Sequence, residues 1–95
     1  MSHRPRSPAV FVFAQHGCPA CEEYLPRFQR RATGAPYPIG VYHLGDGGRG
    51  DEMANKLGIR ATPTTTVLSR DGRLRNHVGA LADNVIERIL KSALG

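Results

Sequence analysis

The sequence predicts an α/β domain, a four-stranded mixed sheet in the order β-α-β-α-β-β-α with helices on both faces. Three observations lead there. Residues 9–14, Ala-Val-Phe-Val-Phe-Ala, are a continuous apolar run with β-branched and aromatic members, the pattern of a central strand buried on both sides. Helical and strand patterns then alternate along the chain, which calls for a sheet covered by helices. Further on, Arg70-Asp71-Gly72-Arg73 is a hairpin signal with Asp-Gly as its turn, so the last two strands are antiparallel.

The elements follow in order. Residues 1–8 are basic and Pro-containing and are expected to form a flexible tail, leaving 9–95 as a single domain. After the first strand, Gln15-His16-Gly17 turns the chain. Residues 18–32 read as a helix with Cys21, Leu25, Phe28 and Ala32 on its apolar face. Glu23 and Arg27 are placed to pair one turn apart, and Gly34 suits the C-terminal cap. Pro36-Tyr37-Pro38 leads to a second strand over 39–44, and a helix between two strands predicts a right-handed parallel unit. The run 45–50 reads as a flexible loop; its glycines lack the Gly-Lys-Ser/Thr ending that would hold a triphosphate. A short helix over 51–57 ends at Gly58. A β-branched strand over 64–68 returns over 73–78. The last helix carries Val85, Ile86, Ile89, Leu90 and Ala93 on its apolar face, with Asp83 at its favoured acidic start.

The 95 residues suffice for one small domain. No run reaches the length of a membrane span, and no apolar export segment with a small-residue cleavage site is seen, so the cytoplasm is the expected compartment. The formal net charge is +5 and is mostly arginine. Arg27, Arg30 and Arg31 gather toward the end of the first helix, where cations suit the dipole. This balance reads as a solvated surface ahead of an attraction for acidic partners or nucleic acid, because no basic stripe with interleaved aromatics appears. A monomer is expected.

The chemistry lies in the two cysteines, three residues apart. A bridge over so short a loop adds little stability, so the pair points to reactivity rather than scaffolding. Cys18 follows a buried strand and opens a helix, where unpaired backbone N–H groups and the positive dipole end favour the thiolate. Pro19 fits the first turn because its missing N–H is not needed there. Cys21 lies one turn further in, on the apolar face. Cys18 is therefore expected to be the nucleophile and Cys21 the resolving thiol. Half of a zinc site is the competing reading; His3, His16, His43 and His77 do not provide the usual paired spacing. A metal shared between two copies stays open. His16 either steadies the Cys18 thiolate or is a plain loop histidine. Glu22 and Glu23 read as surface positions.

Cys18-Pro19-Ala20-Cys21, Pro26, Gly58-Ile59-Arg60-Ala61-Thr62-Pro63-Thr64 and Val78-Gly79-Ala80-Leu81 occur in an order that resembles the thioredoxin family. The likeness is to its short, glutaredoxin-sized members, which lack the first strand and helix. It implies a minimal thioredoxin-like fold and a thiol–disulfide oxidoreductase that reduces protein disulfides. It also implies a cis bond between Thr62 and Pro63, in a loop lying against the cysteines. Substrate would then pair with the Thr62 backbone by strand addition. Gly79 would keep the groove open, with Pro19 and His16 flanking it. The implied partners are disulfide-containing proteins and an external reductant, either a reductase or glutathione. No cofactor is implied beyond the Cys18–Cys21 disulfide. The chain departs from the family pattern in three places. His16-Gly17 stand where thioredoxins carry Trp, and Val12 replaces their buried Asp. The glutathione-binding residues of glutaredoxins are unmatched. An oxidase or isomerase of the same fold is one alternative. Another is an interaction module using the less-covered sheet edge and face.

Overall fold

The computed structural model describes residues 8–95, so the expected tail falls outside it apart from Pro8. The elements are β1 (Ala9–Gln15), α1 (Pro19–Ala32), β2 (Ile39–Leu44), α2 (Arg49–Leu57), β3 (Thr64–Leu68), β4 (Leu74–Val78) and α3 (Asp83–Ser92). They form the expected four-stranded mixed sheet, ordered β2-β1-β3-β4. The apolar run of β1 lies inside this sheet, parallel to β2 with Val10 beside Ile39, and antiparallel to β3 with Val12 beside Thr65. The hairpin sets Thr64 of β3 beside Val78 of β4.

Alternation along β1 divides the core. Val10 and Val12 face Tyr24 and Phe28 of α1 and Ile86 and Ile89 of α3, with Val67 of β3 joining them. Phe11 and Phe13 point to the opposite face, where their rings lie 5.6 and 5.5 Å from that of Tyr42. The second helix packs on this side. Full burial of side chains such as Phe28 contributes about 1.5–3 kcal/mol each, so these two layers carry most of the stability.

Four expectations are corrected. Tyr24 joins Phe28 as a fully buried aromatic of α1, whereas Leu25 is only partly buried. Burial suits Tyr24 because its hydroxyl meets the Thr65 hydroxyl at 2.7 Å. The second helix starts at Arg49 rather than Asp51, which places Gly50 inside it. A Cβ at Gly50 would lie 2.4 Å from the His43 carbonyl oxygen, so the close approach of α2 to β2 requires glycine. The preceding loop, expected to be flexible, is pinned by the Asp51 carboxylate, which accepts from the Gly45 N–H at 2.9 Å and the Gly47 N–H at 2.6 Å. Finally, β4 begins at Leu74, because Arg73 still belongs to the turn and its N–H bonds the Asp71 carboxylate.

The expected Glu23–Arg27 pair is present, and it belongs to a larger cluster. Arg27 also reaches Asp83 at 2.7 Å, and Arg31 bridges Asp83 and Glu87. The arginines read as dipole partners of α1 thus also clamp it to the start of α3.

Candidate active site

The turn after β1 delivers Cys18 to the cap position of α1. Its backbone is extended, its N–H bonds the Gln15 carbonyl at 3.3 Å, and helical bonding begins from its own carbonyl. The sulfur caps the helix: Cys18 Sγ accepts the Cys21 N–H at 3.2 Å. Pro19 follows, exposed, in the first turn. Cys18 is partly exposed and Cys21 is buried, both as free thiols.

The two thiols are shifted in opposite directions. The Cys21 side chain and backbone N–H, aided by the Thr62 hydroxyl, hold the Cys18 thiol below its ordinary range against a smaller opposing effect of burial. Burial pushes the Cys21 thiol up, and the neighbouring Cys18 adds to the rise. Cys18 is therefore the sulfur poised as thiolate, at the accessible end of the pair.

The loop before β3 closes over this sulfur. The Thr62–Pro63 peptide bond is cis. Thr62 Oγ1 donates to Cys18 Sγ at 3.7 Å, and the Thr62 carbonyl lies 3.8 Å from the same sulfur. The buried Pro63 accepts the Gly79 N–H at 2.8 Å, which ties the end of the hairpin to the loop. Gly79 has φ +99°, a conformation that side-chain-bearing residues rarely adopt. Thr62, Pro63 and Gly79 are thus brought together beside Cys18, although some sixty residues separate the first and last of these groups.

His16 is placed differently. Its ring is exposed and stacks on His43 at 4.5 Å and 5°. The groups that act on Cys18 are Cys21, Thr62 and Ala20, with burial opposing them, and His16 is not among them. Val12, where a carboxylate was noted as missing, is fully buried in apolar surroundings. Glu23 is engaged with Arg27, and Glu22 faces solvent. Among the described residues, no group of three His, Cys, Asp or Glu side chains is gathered closely enough to hold a metal ion. The Thr62 hydroxyl itself was not anticipated. Its only sequence signal was a hydroxyl-bearing residue directly before the proline.

No family model matches the chain. It is 26% identical over 94 residues to a thioredoxin of Borreliella burgdorferi, across 99% of this chain and 80% of that protein. The solution structure of an uncharacterized thioredoxin-like protein from Clostridium perfringens matches with a TM-score of 0.77 and 25% identity, over 95% of this chain and 73% of the other. The chain has the thioredoxin fold. A second structural neighbour, MTB dsbF solved in its mixed oxidized and reduced forms, has a TM-score of 0.76 at 17% identity. It covers 94% of this chain and 82% of its own, and it supports the fold alone. Thioredoxin-like fold and paired cysteines together are those of a thiol–disulfide oxidoreductase.

Proposed function

We propose that this chain reduces protein disulfides by dithiol exchange. The observation that supports this reading most is the asymmetry of the cysteine pair, with a partly exposed, thiolate-prone Cys18 capping α1 and a buried Cys21 one turn behind it. The Cys18 thiolate attacks one sulfur of a substrate disulfide, and the other substrate sulfur leaves as a thiol. Cys21 then attacks the Cys18 sulfur, closing the Cys18–Cys21 disulfide and releasing the second substrate thiol. An external reductant, a reductase or glutathione, restores the dithiol. The substrate lies extended in the groove between Thr62-Pro63 and Gly79, its main chain pairing with the Thr62 backbone and Pro19 at its rim. The proposal includes a monomer acting in the cytoplasm. No described helix is long and apolar enough to cross a membrane.

Oxidation would use the same two sulfurs in reverse, so the reduction potential is the deciding measurement. Equilibration in graded thiol–disulfide buffers is expected to give about −270 to −200 mV, the range of reductants. A value near −120 mV, about that of a strong oxidant, would reverse the proposed direction. Insulin reduction is expected to vanish in Cys18→Ser, while Cys21→Ser accumulates mixed disulfides. Undiminished turnover in Cys18→Ser would reject the mechanism.

A further inference from the structure

The far wall of the proposed groove is chain that forms neither helix nor strand. β4 ends at Val78 and α3 begins at Asp83, so residues 79–81 lie outside both ladder and helix. A hydrogen bond holds this segment at each end. The Gly79 N–H donates to the Pro63 carbonyl at 2.8 Å. At the other end, helical bonding in α3 starts from the Ala82 carbonyl, which leaves the partly buried Leu81 carbonyl without a helical partner. Arg27 of α1 supplies one, its Nη1 donating to that carbonyl at 2.8 Å. The rest of the guanidinium is committed as well. Nε and Nη2 hold the two carboxylate oxygens of Glu23, and Nη1 also reaches Asp83 at 2.7 Å. The group lies 5.7 Å from the centre of the Tyr24 ring, and Tyr24 is itself bonded to Thr65. Arg31 bonds Asp83 and Glu87, so its partners are side chains of α3.

We propose that Arg27 is a positioning residue for substrate binding: it fastens α1, whose start carries both cysteines, to residues 79–81, and so presets the groove between Thr62-Pro63 and Gly79. This inference rests on the disulfide-exchange reading, with substrate extended in that groove. Arg27 takes no part in the sulfur chemistry. A substrate main chain that pairs along Thr62 must fit between two walls, and walls fixed before it arrives do not have to be ordered by binding. Released from Arg27, residues 79–81 keep the Gly79 bond and the packing of Leu81 against the core, and a bound peptide must restrict them itself. A disulfide too small to fill the groove does not meet this cost. Arg27 therefore favours substrates that present an extended main chain over small disulfides.

Native protein, Arg27→Met, Arg27→Lys and Arg31→Met are compared in steady-state reduction of two substrates, with dithiothreitol as the recycling reductant. One substrate is a pair of unstructured peptides joined by a disulfide, which fills the groove. The other is hydroxyethyl disulfide, which has no main chain to place there. Urea midpoints establish that each variant is folded. Arg27→Met keeps the apolar stem and removes the donors. It is expected to raise KM for the peptide about tenfold with kcat preserved, the pattern of lost binding rather than lost chemistry. Its rate on hydroxyethyl disulfide is expected to stay near the native value. Arg27→Lys keeps the charge without the planar fork and is expected to raise the peptide KM by less, about threefold. Arg31→Met breaks ion pairs between α1 and α3 without touching Leu81, and its peptide KM is expected to match the native one. An unchanged peptide KM in Arg27→Met overturns the inference and leaves the reductase reading standing. An equal rise in Arg31→Met also overturns it, since the clamp between the helices would then explain both. So does a fall in kcat on both substrates, because the site itself would be disturbed. Should Arg27→Met not fold, Arg27→Lys carries the same comparison at its smaller factor. Native protein that reduces neither substrate rejects the underlying reading as well.

Discussion

Cys18 and Cys21 share one residue type and one turn of helix, and their surroundings drive them apart. Cys18 receives the Cys21 N–H and the Thr62 O–H, groups that favour a thiolate, while Cys21 is enclosed by the core. The sign of the pH dependence follows. The thiolate fraction of Cys18 grows as pH rises through its lowered pKa, so the rate of attack on a disulfide rises with it. The rate is expected to level off at a pH below the range of an unperturbed thiol, because beyond its own pKa Cys18 is already ionised. Single-turnover rates against glutathione disulfide over a pH series measure this. A rate still climbing through the ordinary thiol range would show that Cys18 is not activated. The same scale shows how polar side chains are admitted to the core. The three buried threonines of β3 each have a partner: Thr64 with the Ala61 carbonyl, Thr65 with Tyr24 and Thr66 with Asn76. A buried hydroxyl left without one would be destabilising by about 1–3 kcal/mol.

The elements differ in how far local sequence determines them. The apolar run of β1, the Asp71-Gly72 turn and the apolar face of α3 are decided by neighbours in sequence, and each was legible. The start of α2 was not. Glycines at 45, 47, 48 and 50 carry a loop signature, yet Gly50 lies within α2, where the His43 carbonyl leaves no room for a side chain. Choosing Tyr24 over Leu25 was likewise beyond spacing, since both lie within one turn of Cys21 and only the packing of α1 against β3 and α3 separates them. This yields a prediction for the element. Gly50→Ala is a favourable change for an isolated helix, but here it forces α2 away from β2. It is expected to destabilise the protein by about 1–3 kcal/mol, read as a lower urea midpoint. An unchanged or raised midpoint would mean that helix propensity outweighs the contact.

At the scale of the whole molecule, the sequence showed which residues carry chemistry but not how they meet. Cys18 and Cys21 were recognisable by spacing; Thr62 reaches them across 44 residues of chain, and only the closed sheet makes that contact. Charge behaves similarly. Of the arginines behind the net +5, Arg27 and Arg31 are bound up with Glu23, Asp83 and Glu87, which leaves part of the basic character spent between α1 and α3. Arg60 is exposed on the loop that leads to Thr62. A net positive charge is expected to attract acidic partners over distances comparable to the Debye length, about 10 Å at 0.1 M salt. Two disulfide-linked peptides of equal size, one flanked by Asp and one by Lys, discriminate this effect. The acidic peptide is expected to be reduced faster at low ionic strength, and raising the salt should bring the two rates together, because screening removes steering but leaves the sulfur chemistry untouched. Equal rates at low salt would assign the basic surface no part in substrate choice. A preference that persists at high salt would place the discrimination in direct contacts beside Cys18 instead.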